Sequence, residues 1–267
     1  MSESMSATGA NGVQHREGGS AASAIAGELV QMIIGQMQPG ASLPSEGELS
    51  ARFGVSRVTV REAVKMLAGR GLLDLARGRR AIVREPDGTA LGDFISWILQ
   101  YDPKGMFDLV EVRLSLEVHS VALAAKRANR PALAAIESRL QAMRDAAVLM
   151  DAADGDTAAE LAFHKADVGF HEALAMASSN RILISLFEAM ALPLQRSFFM
   201  SRRGRQQRGR DSKQTIEAHE RILACVRAGD VAAAEAAMRE HLDDAGRDML
   251  AAFNGPALPI NQRDPLG

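Results

Sequence analysis

The sequence predicts a mostly α-helical protein: an N-terminal winged helix-turn-helix, then an all-helical antiparallel bundle of about seven helices. Three observations carry this expectation. Aromatic residues make up only 4% of the 267 residues, while Ala, Leu and Met are plentiful, a composition that favours helices. Apolar residues recur at three- and four-residue steps along most of the chain, the period of an amphipathic helix. Strand-like runs are confined to Leu72–Val83, enough for one hairpin and no larger sheet.

The length suits two modest domains, each with its own core. Met1–Ser20, rich in Ser, Gly and Ala, is expected to be a disordered tail. Ala21–Pro86 is the expected first domain. Its opening helix runs to Met37 with Ile25, Leu29, Ile33 and Met37 on one face, and Pro39-Gly40 ends it. Ser45 and Glu48 form a capping box that opens a second, short helix carrying Leu49 and Phe53 on one face. Gly54 closes that helix, and Ser56 caps the next. On the third helix Val60, Val64 and Leu67 point inward, whereas Arg57, Arg61 and Lys65 recur every four residues on the opposite side, with Thr59 beside them.

Two short helices joined by a tight glycine turn, the second starting with cations, make a helix-turn-helix. Helix N-termini offer N–H groups to phosphate, arginine can grip a guanine edge bidentately, and threonine can touch base or backbone. The runs Leu72–Leu75 and Ala81–Val83, joined by the turn Arg77-Gly78-Arg79-Arg80, read as a β-hairpin wing with arginines at its tip. An ordinary solvated face on a helix pair would also show a charge stripe, but not this order of cap, turn, stripe and basic hairpin. Between Ala21 and Pro86 nine Arg or Lys face six acids, a net charge of +3 within a chain of net charge −2. A basic head on an acidic body fits local phosphate contact.

Glu85-Pro86-Asp87-Gly88 is a linker, and the second domain is expected over 87–253. Its helices are read as Leu91–Gln100, Met106–Asn129, Pro131–Asp151, Thr157–Met176, Asn180–Ser201 bent at Pro193, Lys213–Ala228 and Val231–Phe253. Arg202–Arg210 is read as a basic, glycine-punctuated surface loop. Asn254–Gly267, with three prolines, is expected to be a flexible tail. The single cysteine, Cys225, forms no internal disulfide, and no apolar run is long enough to span a bilayer. A cytoplasmic protein without a membrane partner is the expectation.

Asp167 and His171, four residues apart, share one face of a helix. With His219 and His241 from two further helices they offer imidazole and carboxylate, donors that suit zinc, nickel or manganese. On spacing alone a hydrogen-bonded surface pair is the commoner reading of an Asp–His step, and nothing local links the two later histidines to it.

The first domain closely resembles the N-terminal domain of GntR-type bacterial transcription regulators, through Leu43-Pro44-Ser45-Glu46, Glu48-Leu49, Gly54-Val55-Ser56-Arg57, Thr59-Val60-Arg61-Glu62-Ala63, Leu67, Gly71-Leu72 and Arg77-Gly78-Arg79. The resemblance implies DNA contacts from Ser56, Arg57, Thr59, Arg61, Arg77 and Gly78. Two positions depart from it: Gly47 stands where many relatives carry a basic residue, and Arg80 replaces a wing glycine.

The second domain resembles the all-helical FCD effector-binding domain of the FadR branch, through Leu109–Arg113, Leu116-Glu117, Ala124-Ala125, Asp167, Phe170-His171, Leu174, Ser179-Asn180, His219, Ile222, Gly229-Asp230, Ala233-Ala234 and His241-Leu242. That resemblance implies a metal held by Asp167, His171, His219 and His241, and effector contacts from Arg113 and Asn180. Arg113 is equally placed for a salt bridge to Glu117, and Asn180 for capping the helix it opens. His164, near the same face as His171, is read as a supporting or solvent group, and His119 as structural.

The function expected is a dimeric DNA-binding regulator, a repressor of a near-palindromic operator, modulated by a small carboxylate in a metal-containing pocket. The alternatives are a metal-dependent hydrolytic enzyme, for which no general base is evident, and an architectural DNA-binding protein with a structural metal.

Overall fold

The computed structural model describes residues 11–76, 78–102, 104–152, 157–196 and 198–255. They divide after Ala90 into two compact units. Arg77, residues 1–10 of the expected N-terminal tail and residues 256–267 of the expected C-terminal tail lie outside the described residues.

The first unit holds α1 (Asn11–Gln36), α2 (Glu46–Phe53), α3 (Arg57–Gly69), β1 (Leu73–Asp74) and β2 (Ile82–Val83). Local chemistry sets its joints. The Ser45 hydroxyl accepts from the Glu48 backbone N–H at 3.2 Å, and the Glu48 carboxylate accepts from the Ser45 N–H at 2.6 Å. Gly54 ends α2 at φ 65°, a left-handed conformation that costs glycine little. Ser56 then accepts from the Thr59 N–H at 3.1 Å and opens α3.

With both helix ends fixed, Leu49, Val60, Ala63 and Leu67 are buried against Leu29, Leu43, Leu73 and Val83. Truncating a fully buried leucine such as Leu67 costs about 2–5 kcal/mol. The aliphatic side of α3 is thereby anchored, and its cationic side is left to solvent.

Two readings of this unit are corrected. The first helix begins at Asn11, not Ala21, so residues 11–20 belong to a helix and not to a tail. The segment carries no proline, so nothing in it removes a hydrogen bond of the helix. Among the described residues the wing's strands are shorter than expected: they pair Leu73 with Val83 and Asp74 with Ile82, and Arg84 donates to the Leu72 carbonyl at 3.0 Å. Its second strand instead gains a partner on the other side. Val83 donates to the Ala41 carbonyl at 2.9 Å and Leu43 donates to the Ala81 carbonyl at 2.8 Å, so the stretch after Pro39-Gly40 lines the wing.

The second unit contains α4 (Thr89–Tyr101, entered from the last residues of the first), α5 (Gly105–Arg127), α6 (Arg130–Ala152), α7 (Thr157–Ala177), α8 (Arg181–Arg196), α9 (Phe198–Gln207), α10 (Ser212–Ala228) and α11 (Val231–Asn254). No helix among the described residues is long and apolar enough to cross a membrane. One core gathers Val121, Ile136, Leu140, Phe163, Phe170 and Leu242. A second gathers Met106, Leu109, Val168, Phe187, Leu194 and Met249.

Among the described residues this unit has eight helices, because the basic stretch expected as a loop is helical to Gln207. Gly204 is not a helix breaker there but a contact point: a Cβ on it would collide with the Asp248 carbonyl of α11. Missing side-chain bulk lets α9 lie directly on α11, and packing outweighs the low helix propensity of glycine.

Candidate functional site

The cationic face of α3 is presented to solvent. Ser56, Arg57 and Arg61 are exposed, Thr59 is half-buried, and the wing residue Gly78 is exposed at φ 75°. The Thr59 and Ser56 hydroxyls lie 2.9 Å apart. Arg61 holds Glu46 bidentately, Nε to Oε1 at 2.9 Å and Nη2 to Oε2 at 2.7 Å. A Cβ on Gly47 would sit 3.3 Å from Nη2 of Arg57, so the missing side chain at Gly47 leaves room for the Arg57 guanidinium over the first turn of α2. Duplex phosphates or a base edge can meet these groups without rearrangement of the α3 core.

In the second unit, Asp167 and His171 of α7, His219 of α10 and His241 of α11 bring one donor atom each to within 4.8 Å of one another. Asp167 Oδ1 is 3.0 Å from His219 Nε2, and His171 Nε2 is 3.1 Å from His241 Nε2. The remote ring nitrogens are engaged elsewhere. His219 Nδ1 donates to the Thr215 carbonyl at 2.7 Å. His171 Nδ1 lies 2.5 Å from Glu117 Oε2, and Glu117 Oε1 accepts from Arg113 Nε at 2.6 Å. With an ion bound, protons on those Nδ1 atoms would leave the Nε2 lone pairs free to face it.

The electrostatics agree with that donor set. Burial would raise the Glu117 carboxyl, but Arg113 and His171 outweigh it and hold it at about 2. Burial also works against the Asp167 carboxylate, yet the His219 hydrogen bond and the neighbouring imidazoles keep it well below the usual range. Burial, then His219 and His171, push His241 well below its ordinary value, so it offers a neutral ring at pH 7. A neutral His241 ring with an ionised Asp167 carboxylate fits a divalent transition ion.

A pH dependence follows for the metal-free chain. His241 and His164 have folded pKa values below their ordinary 6.5, the latter chiefly through burial. Under 6.5 the unfolded chain therefore takes up protons that the folded chain refuses, and stability falls with pH. Glu117 adds to the loss below its ordinary 4.5 and continues down to about 2. Chelated protein is expected to melt several degrees lower at pH 5.5 than at 7.5; a higher melting temperature at pH 5.5 would contradict this placement of the imidazoles.

Beside the donor set lies a cavity of about 60 Å³, lined among others by Arg113, His164, Asp167, Arg205, His241 and Asp248. On that measure it holds about four or five waters. Arg113 both pairs with Glu117 and lines the cavity. Asn180 accepts from the Ile182 and Leu183 backbone N–H groups at 3.1 and 3.3 Å; it caps α8 and is not among the cavity-lining residues. His164 Nε2 lies 2.9 Å from the Leu194 carbonyl, in the cavity wall. His119, expected to be structural, is exposed.

Sequence reasoning missed the cavity positions of Arg205, Arg210, Asp244 and Asp248. No local pattern could supply them, since α9 to α11 meet only in the fold.

Residues 21–83 match the family of bacterial regulatory proteins, gntR family, and residues 108–244 match the FCD domain. The HTH-type transcriptional regulator LutR of Bacillus subtilis (strain 168) is 33% identical over 220 residues, 82% of this chain and 95% of that protein. The galactonate operon transcriptional repressor of Escherichia coli (strain K12) is 32% identical, covering 78% of this chain and 86% of its own. The Glc operon transcriptional activator of the same strain is 28% identical, covering 82% and 84%. Among solved structures, a GntR from Streptococcus agalactiae superposes with a TM-score of 0.61 at 26% identity, covering 85% of this chain and 99% of that one.

Proposed function

The chain belongs to the gntR family of bacterial regulatory proteins, with an FCD domain, and is a transcription regulator; we propose that it binds a near-palindromic operator as a homodimer and that a small carboxylate metabolite in a metal-containing cavity relieves repression. The observation that carries this reading is the convergence of Asp167, His171, His219 and His241 beside a cavity that Arg113 lines.

A helix-turn-helix reads only a short half-site, so two-fold symmetry on a near-palindrome supplies the specificity that one head lacks. Ser56, Arg57, Thr59 and Arg61 are the proposed contacts on α3, with Arg77 and Gly78 at the wing. In the second unit a divalent ion would supply a Lewis-acidic anchor for an acid. Arg113 adds a guanidinium whose geometry matches carboxylate. Glu117 holds both Arg113 and His171 in place, which ties the acid's position to that of a metal ligand. The small cavity favours a compact acid over a long acyl chain.

Occupancy alone regulates nothing: the acid must bind one dimer geometry better than the other. The galactonate relative is named a repressor and the Glc relative an activator. The repressor reading here rests on the first of these, which is also the more similar to this chain.

Arg113→Ala tests the reading. Thermal-shift titration with small organic acids should show at least a tenfold weaker response in the variant, while operator affinity without acid stays within about twofold and metal content is unchanged. An unchanged response would leave Arg113 as the partner of Glu117 alone. A regulator whose DNA affinity no acid alters would instead fit an architectural role.

A further inference from the structure

The arginines of 202–210 are used neither by the DNA-reading face nor by the metal donor set, and two of them, Arg205 on α9 and Arg210 beyond its end, line the cavity. Arg202 lies 2.7 Å from Glu160, Arg208 lies 2.5 Å from Asp248 and 3.3 Å from Asp244, and Arg210 lies 2.7 Å from Asp244. Arg205 differs. Its hydrogen bond among the described residues is a long 3.5 Å donation to the Thr215 hydroxyl, and its guanidinium carbon stands 5.5 Å from the centre of the Phe163 ring. No described carboxylate is within ion-pair distance of it, although it lines the cavity together with Arg113, Asp167 and His241. Burial opposes its charge, and a guanidinium stays charged regardless. A half-buried cation without an anion in contact is costly until one arrives.

The charge inventory points the same way. Glu117 offsets Arg113, while Asp244 and Asp248 offset Arg208 and Arg210. Asp167 remains for Arg205, yet its Oδ1 already faces His219 and belongs to the donor set. A divalent ion held by Asp167 and neutral imidazoles keeps one positive charge unmatched, and Arg205 adds a second. The loaded cavity therefore calls for two negative charges.

We propose that Arg205 is a second anion-holding residue and that the effector is a compact dianion, a short dicarboxylic acid. One carboxylate meets the metal side and Arg113, and the other meets Arg205. The inference rests on the reading of the cavity as a carboxylate site.

The test is calorimetric titration of the nickel-loaded full chain with succinate and malate against propionate and lactate. Wild type should bind a diacid at least tenfold tighter than the monoacid. Arg205→Ala should lose at least tenfold in diacid affinity, keep monoacid affinity within twofold and retain its metal. Arg205→Lys, which keeps the charge at less risk to packing, should retain the diacid preference. Equal binding of diacid and monoacid by wild type, or equal weakening of both in Arg205→Ala, overturns the proposal. If monoacids bind and diacids do not, the carboxylate reading stands and only the role of Arg205 falls. If neither class binds, both fall together.

Discussion

Chains carrying His219→Ala and His241→Ala together should lose their metal, from about one ion per chain to background by elemental analysis. The variant keeps only Asp167 and His171, both on α7, so the ion would have no link to α10 or α11. Losing a group that merely supports a ligand costs about 10–100-fold in metal affinity; losing two ligands should exceed that. Metal at a thousand times its dissociation constant stabilises the folded state by about 4 kcal/mol, so the melting-temperature gain that wild type shows on adding metal should vanish. His219 also packs its ring 4.5 Å from that of Phe170, so the variant should melt lower than wild type even without metal. Equal metal content in variant and parent would contradict the ligand set.

Arg57→Ala with Arg61→Ala should abolish specific operator binding while the helical content stays unchanged. Each arginine gripping a guanine edge contributes about 1–3 kcal/mol of discrimination, so the pair amounts to a loss of roughly 30-fold to 10⁴-fold in affinity. The two are not equivalent. Arg61 must give up its bidentate hold on Glu46 before it can grip DNA, whereas among the described residues no carboxylate holds Arg57 in that way. Arg57→Ala alone should therefore be the more damaging single change. Quantitative footprinting reads both. Wild-type protection by the double variant would show that α3 does not read the duplex.

How far these sites were legible depended on whether the determining contact was local. Ser45 with Glu48, Gly54 and Ser56 act on backbone groups within three or four residues of themselves, so the joints of the helix-turn-helix were readable directly. Asn180 as a cap belongs to the same class. The Asp167–His171 step gave a shared helix face and no more; only the resemblance joined it to His219 and His241, because the convergence of α7, α10 and α11 is set by packing of residues far apart in sequence. The stretch 202–210 misled for the opposite reason. Glycine and arginine read locally as a solvated loop, but the glycine is where α9 touches α11, and Asp244, Asp248 and Glu160 take up the charge. Residues 41–43 gave no strand signal of their own and are extended because the wing offers them an edge.

The central claim is that a ligand held in the second unit alters what the first unit does on DNA. Its most direct test is the affinity of the metal-loaded chain for its selected operator, measured with and without a saturating small organic acid. The account predicts a change of at least tenfold, abolished by Arg113→Ala. An affinity that no bound acid moves would contradict it.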